Sequence, residues 1–292
     1  MKYLIVGGVA GGATTAARLR RMNEHCTIII FERGEYISYA NCGLPYYIGG
    51  AIPQRSNLFV QTPESFGKRF NVDIRTFSEV IAIDKGKKLV TVKEVRTGKT
   101  YEENYDKLIL SPGAEPVRPS LPGINMEGIF TLRNVPDTDR IKTYIETKKP
   151  RHAVVVGAGF IGLEMAENLH QSGIRITIVE MADQVMTPLD YSMAALVHQH
   201  LKTKNVEFYL NTSVCAFSER SGRILITLSS SRTIETDMVV LSIGVKPDSR
   251  LAKEAGLKIG ETGGIWVNEY LQTSDNNIYA VGDVIEYENP AL

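Results

Sequence analysis

The stretch SYANCGLPYY, residues 38–47, sets Cys42 between an asparagine and a glycine, with a proline and two tyrosines behind it. Only two other cysteines occur, Cys26 and Cys215, and neither is near in sequence. Five positions on, where a second sulfur could stand, is Tyr47. Redox chemistry at Cys42 therefore uses one sulfur. Its oxidised state is a sulfenate or a mixed disulfide with a small thiol. Its reduced state is a thiolate that attacks a substrate disulfide. The run CGLPYYIG reads as a helix start with proline in the first turn, and a helix N-terminus favours a thiolate. The alternative is a buried structural cysteine. Cys26 and Cys215 lie in or beside strand-like segments without a polar frame and read as structural.

A second chemistry-bearing pattern occurs twice. YLIVGGVAGG opens an apolar run into glycines, a helix-like stretch continues to Met22, and TIIIFE ends on Glu32. AVVVGAGFIG opens the other copy, which continues to Ser172 and reaches ITIVE, ending on Glu180. Strand, glycine turn, helix, strand and acid form the dinucleotide-binding βαβ unit. Gly157 makes the tight turn, Gly159 lets the backbone approach a pyrophosphate, and Gly162 lets helix pack on strand. The helix N-terminus offers N–H groups to that phosphate, and the acid can accept from a ribose. The first copy runs Gly7-Gly8-Val9-Ala10-Gly11-Gly12, with Val9 where the middle glycine belongs.

The elements that position these residues repeat as well. Each βαβ unit is followed by alternating segments that read as an antiparallel meander, with turns at 85–88, 97–99 and 220–223. Each meander ends in a matching phrase, DKLILSPGAEP and DMVVLSIGVKP, with Asp106, Ser111, Gly113 and Pro116 at the offsets of Asp237, Ser242, Gly244 and Pro247. Near the end, IYAVGD reads as a short buried strand with a Gly282-Asp283 turn at its carboxyl end, where open α/β sheets bind ligands. The fold class is α/β, with two Rossmann-like three-layer dinucleotide-binding domains. The expected boundaries are 1–113 for the first part of one domain, 114–245 for the inserted second, and 246–292 for the return.

Bulk properties narrow the function. Lys+Arg and Asp+Glu both number 33, so net charge is zero and argues against a nucleic-acid or membrane-surface partner. Hydrophobic content of 43% is ordinary for a globular chain. Three cysteines are too few for a disulfide framework and fit a reducing, cytoplasmic compartment. No apolar run approaches the ~18 residues of a membrane span. The glycine spacing explains the N-terminus better than a signal peptide does. No metal site is expected.

Two Gly-rich βαβ units, a cysteine shortly after the first acid and a terminal IYAVGD resemble the flavin-dependent pyridine nucleotide-disulfide oxidoreductases over the whole chain. SYANCGLPYY resembles their single-cysteine branch, which comprises NADH peroxidases, NADH oxidases and coenzyme A-disulfide reductases. GGVAGGATTAARLRR and NCGLPYY look most like the last. The resemblance implies FAD on Gly7, Val9, Ala10, Gly11, Glu32, Arg33, Val80, Ser111, Gly113, Arg133 and Asp283. It implies the nicotinamide nucleotide on Gly157, Gly159, Phe160, Ile161, Gly162, Glu180 and Gly244, with Phe160 shielding the flavin and Glu164 close to hydride transfer. Glu180, with no Lys or Arg in the MADQ that follows, favours NADH over NADPH.

Thr14, Arg18 and Arg21 are spaced i, i+4 and i+7 and line one helix face, which is either a solvated basic face or a phosphate site. In the coenzyme A-disulfide reductases these positions, with Ser38, Asn41 and Cys42, contact coenzyme A, as substrate or as a mixed disulfide on Cys42. The resemblance also implies a homodimer built by a further C-terminal domain, absent from this chain, so the chain is expected to be a fragment or catalytically incomplete. The rival readings are an NADH oxidase or peroxidase working through a Cys42 sulfenate, and a nucleotide-binding protein without turnover.

Overall fold

The computed structural model describes residues 1–288. The chain forms two compact units, one of residues 1–40, 59–115 and 246–292, the other of residues 41–58 and 116–245.

In the first unit, five parallel strands run in the order Ile278–Ala280, Lys107–Leu110, Lys2–Val6, Thr27–Phe31 and Asp73–Arg75. Side chains alternate across a pleated strand, so each strand feeds two cores. Leu4, Val6, Ile29, Phe31, Leu108 and Leu110 pack toward a meander made of Ser78–Asp84, Leu89–Glu94 and Thr100–Asn104. Ile5, Ile28, Ile30 and Ile109 pack toward the helices Ala10–Met22 and Pro63–Phe70, through Ala13, Ala16, Ala17 and Phe66. The alanines on that helix let its axis lie close to the sheet. Three layers result.

The second unit repeats the plan. Its parallel strands run Glu207–Tyr209, Arg175–Val179, His152–Val156, Met238–Leu241 and Ile129–Thr131. Val154, Val156, Val179, Val239 and Leu241 face Phe217, Ile224, Ile226 and Leu228 of the meander Val214–Arg220, Arg223–Leu228 and Thr233–Thr236. The fifth strand differs in origin. In the first unit it comes from the C-terminal return, whereas here Ile129–Thr131 precedes the glycine-turn strand.

The repeated aspartates are braces at the lower ends of the central strands. Asp106 accepts from the Lys2 amide at 2.6 Å. Asp237 accepts from the amides of Arg151 and His152 at 2.9 and 3.0 Å, and from Arg223 Nε at 2.8 Å.

Segment 41–58 departs from the expected domain boundary, which placed it within 1–113. The five-residue helix Leu44–Ile48 packs on Val135–Lys148 and Phe160–Gln171. Lys142 Nζ donates to the Tyr47 carbonyl at 3.1 Å, and Arg55 Nη2 pairs with Asp139 at 2.7 Å. Gly49 abuts Asn168 so closely that a Cβ would lie 2.6 Å from its Oδ1. These contacts group the cysteine segment with the second unit.

Candidate active site

Both glycine turns are built alike. Gly7 and Gly157 hold left-handed backbone, with φ of 95° and 98°. A Cβ there would lie 2.1 Å from the Ser111 carbonyl oxygen, or 2.3 Å from that of Ser242. Gly12 and Gly162 sit against their own turns, where a Cβ would come within 1.8 and 2.0 Å of the Gly7 and Gly157 carbonyl oxygens. Gly159 is different. Its φ of −78° suits any residue, and a Cβ would meet nothing within 4 Å. Nothing in the fold of the turn requires glycine there, and its bareness leaves room for a ligand to reach the backbone. Val9 stands at the matching place with a φ of −89°, so a β-branched residue is accommodated.

The two acids also match. Glu32 accepts from the Gly8 and Gly34 amides at 2.9 and 2.8 Å. Glu180 accepts from those of Ala158 and Ala182 at 2.6 and 2.8 Å. Each carboxylate ties its strand end to the glycine turn while standing where a ribose would lie.

Around the first turn, Ser111 follows the strand Lys107–Leu110, and Gly113 beyond it has a φ of 75°. Gly282, with a φ of 83°, and exposed Asp283 follow Ile278–Ala280. Gly7, Gly11, Glu32, Ser111 and Asp283 thus share the carboxyl edge of one sheet, the ligand-binding edge of such folds. Ala10 is exposed at the helix start. Arg33 is paired with Glu115 at 2.5 Å and Asp248 at 3.3 Å, which fixes its guanidinium beside that edge. Val80 is buried in the core, so only its backbone can serve a ligand. Arg133 belongs to the second unit, its amide bonded to Asp137 at 3.0 Å, and is not among this group.

In the second unit a cleft of about 590 Å³ opens at the corresponding edge. Gly157, Gly159, Phe160, Ile161, Glu180 and Gly244 line it. Gly162 lies just behind, buried. Phe160 is 64% exposed, an unusual state for a phenylalanine and one suited to a ring that meets a ligand. Sequence reasoning missed Ser242, Ile243 and Val214 in the lining. The repeated phrase could have found Ser242, whose counterpart Ser111 was already a candidate.

Cys42 is exposed, in a 3₁₀ turn spanning Asn41–Gly43. The α-helix begins at Leu44 with Pro45 in its first turn, as expected; Cys42 stands just ahead of that start, and the helix lasts five residues before Gly49 and Gly50. Tyr46 lies within electrostatic reach of Glu164 and Cys42. The Glu164 charge first, then burial, Glu167 and Cys42, push its phenol above the ordinary value. Burial first, then Glu167, pushes the Glu164 carboxyl up. Cys26 is buried and donates to the Asn23 carbonyl at 3.1 Å. Cys215 is exposed rather than buried, because the ladder shifts register between Val214 and Ala216.

Thr14, Arg18 and Arg21 share the exposed face of Ala10–Met22. Among the described residues neither guanidinium makes an ion pair. Ser38 holds left-handed backbone, with a φ of 46°, and its amide donates to the Gly8 carbonyl at 3.0 Å. Its carbonyl accepts from Val60 at 2.9 Å. Asn41 is exposed beside Cys42. Among the described residues, no cluster of three metal-ligating side chains occurs, and no helix is long and apolar enough to cross a membrane.

Comparison with known proteins gives a consistent set of likenesses. The profile of the pyridine nucleotide-disulphide oxidoreductases matches residues 1–292. The coenzyme A disulfide reductase of Staphylococcus haemolyticus is 37% identical over 284 residues, covering 97% of this chain and 63% of the relative. The structure of reduced Bacillus anthracis CoADR-RHD superposes with a TM-score of 0.95 at 59% identity, over 97% of this chain and 51% of that one. A NAD-dependent persulfide reductase from A. fulgidus superposes with a TM-score of 0.93 at 40% identity, over 98% and 53%. The chain therefore spans under two thirds of the length of these relatives.

Proposed function

Because the chain belongs to the pyridine nucleotide-disulphide oxidoreductase family, we propose that it reduces coenzyme A disulfide, or a related coenzyme A persulfide, with NADH as electron donor and FAD as carrier. The observation that carries this reading is Cys42, exposed and free in a turn, with no other cysteine in its segment.

The first unit would hold FAD. Its glycine turn brings Gly7 and the exposed helix start at Ala10 to the sheet edge, Glu32 stands at the ribose position, and Ser111, Gly113 and Asp283 complete the edge. Arg33 and the Val80 backbone lie in the same unit, and Arg133 is a further candidate contact. When bound, FAD supplies the passage of two electrons between nicotinamide and sulfur. The second unit would hold NADH in its cleft, with Phe160 at the mouth and Glu164 nearby. Glu180 would meet a 2′-phosphate with negative charge, and the residues 181–184 bring no Lys or Arg to offset it, so NADH is the preferred donor.

Thr14, Arg18 and Arg21 would bind the phosphates of coenzyme A, and Ser38 and Asn41 are further candidate contacts. The Cys42 thiolate attacks one sulfur of the substrate disulfide, forming a mixed disulfide and releasing one coenzyme A thiolate. Two electrons then cleave the mixed disulfide, releasing the second coenzyme A and restoring the Cys42 thiolate. The sum is NADH, one proton and the disulfide giving NAD⁺ and two thiols. The working state is a homodimer in the reducing cytoplasm.

The test is Cys42→Ser in the full-length protein. Coenzyme A disulfide turnover should vanish while the yellow colour of bound FAD persists. Retained turnover would overturn the assignment of Cys42.

A further inference from the structure

The two copies of the repeat place a serine at the same point, just past the strand beside the glycine turn. In the first unit the Ser111 hydroxyl lies at the start of the helix Ala10–Met22, 2.5 Å from where a Cβ on Gly11 would stand. In the second unit Ser242 is held by its amide, which donates to the Val156 carbonyl at 2.7 Å. Its carbonyl oxygen presses on Gly157, and its own Cβ is 3.4 Å from the Cβ position of Gly162. Ser242 is thus wedged between the two glycines that shape the turn, and it lines the cleft.

The Ser242 hydroxyl is buried and makes no hydrogen bond. Among the described residues only Asn168 Oδ1 shares that state, and Asn168 is not in the cleft lining. A buried hydroxyl without a partner is costly, and folded proteins seldom leave one. Two other polar side chains of the cleft wall, Glu180 and Thr212, are engaged. Both Glu180 oxygens accept from backbone amides, and the Thr212 hydroxyl donates to the Leu210 carbonyl at 2.8 Å. Ser242 retains a free donor at the turn that opens the helix Phe160–Gln171, whose N-terminus points N–H groups at the same place.

We propose that the Ser242 hydroxyl is a binding donor for the diphosphate of the dinucleotide in the second unit, an inference that rests on the reading of that cleft as the NADH site. A diphosphate carries only acceptors, so the hydroxyl proton is what it can use. A donor to a charged oxygen makes a short and strong bond. The adenine and nicotinamide ends would gain nothing from Ser242, because the donor sits at the turn itself. The residue therefore separates ligands that carry phosphate at the turn from those that carry none.

The experiment compares wild-type holoprotein with Ser242→Ala, titrated with NADH, ADP-ribose and adenosine, alongside thermal melting. Loss of one hydrogen bond to a charged group predicts about tenfold weaker binding of NADH and ADP-ribose. Adenosine, which has no phosphate, should bind as before, and the melting temperature should be unchanged or higher. Equal weakening of all three ligands with a lower melting temperature would show a structural role and overturn the proposal. Unchanged NADH and ADP-ribose binding would overturn it too. Failure of the wild type to bind any of the three would instead remove the NADH reading on which it stands.

Discussion

Replacing Glu180 by glutamine tests the brace and the ribose site together. The carboxylate gives one oxygen to the Ala158 amide at 2.6 Å and the other to Ala182 at 2.8 Å. Glutamine has one oxygen, so its NH₂ group must face one of these donors. Ala158 is 1% exposed, so water cannot take over that bond. A lost charge-assisted bond costs about 1.5–3 kcal/mol, and an unsatisfied buried amide a similar amount. A net loss of about 2–3 kcal/mol predicts a melting temperature lower by about 4–12 °C for a domain of this size. In the proposed NADH site the same side chain would meet the ribose, so NADH affinity should fall at least about tenfold. The preference over NADPH should shrink, because the negative charge facing a 2′-phosphate is gone. FAD content should not change. Titration with both nucleotides and a thermal melt read all of these. A variant that melts like wild type and binds NADH equally well would refute the bracing argument.

Two further outcomes follow from other parts of the molecule. Arg21→Ala should raise KM for coenzyme A disulfide by about ten- to a hundredfold, the loss of one phosphate contact, and leave KM for NADH unchanged; a change in NADH alone would contradict the placement of coenzyme A on that helix face. His152 is buried, with its ring nitrogens 3.1 Å from the Glu235 carbonyl and 2.9 Å from Thr177 Oγ1, and burial holds its pKa below the ordinary 6.5. A depressed folded pKa means that the unfolded chain takes up the proton first. The stability from neutral His152 is therefore complete above about pH 6.5 and is lost as pH falls toward its folded pKa. Melting temperatures measured between about pH 7.5 and 5.5 should decline, and His152→Gln should flatten the decline; an identical slope in the variant would contradict the assignment.

Much of this architecture was written locally. The glycine spacing, the acids Glu32 and Glu180 and the matching phrases after each meander foretold both units, because each feature depends on residues within one βαβ turn or one strand end. The meander turns at 85–88, 97–99 and 220–223 were legible for the same reason. What escaped depends on tertiary contact. The place of residues 41–58 is set by Gly49 against Asn168 and by Arg55 against Asp139, partners 119 and 84 positions away. Cys215 read as structural because it lies in a strand without a polar frame, but it is exposed where that strand shifts register. Asp106 and Asp237 were visible as a repeat, but their bracing role appears only when the first residues of neighbouring strands are brought together. Ser242 was in plain view as the twin of Ser111, yet its missing hydrogen bond is a property of packing alone.

The central claim is that one sulfur at Cys42 serves thiol–disulfide exchange. Ala10 bears on it directly. The peroxidases and oxidases that the chain resembles usually carry a histidine at this position, near the redox cysteine, and here Val9, Ala10 and Gly11 offer no polar side chain. A general acid–base group contributes about 10²–10⁴-fold, which peroxide reduction would lack and exchange would not need. The most direct measurement is kcat/KM of the full-length protein for coenzyme A disulfide and for hydrogen peroxide at one NADH concentration. The account predicts a value for the disulfide at least about a hundredfold higher. A higher value for peroxide would contradict it and make the sulfenate chemistry the function.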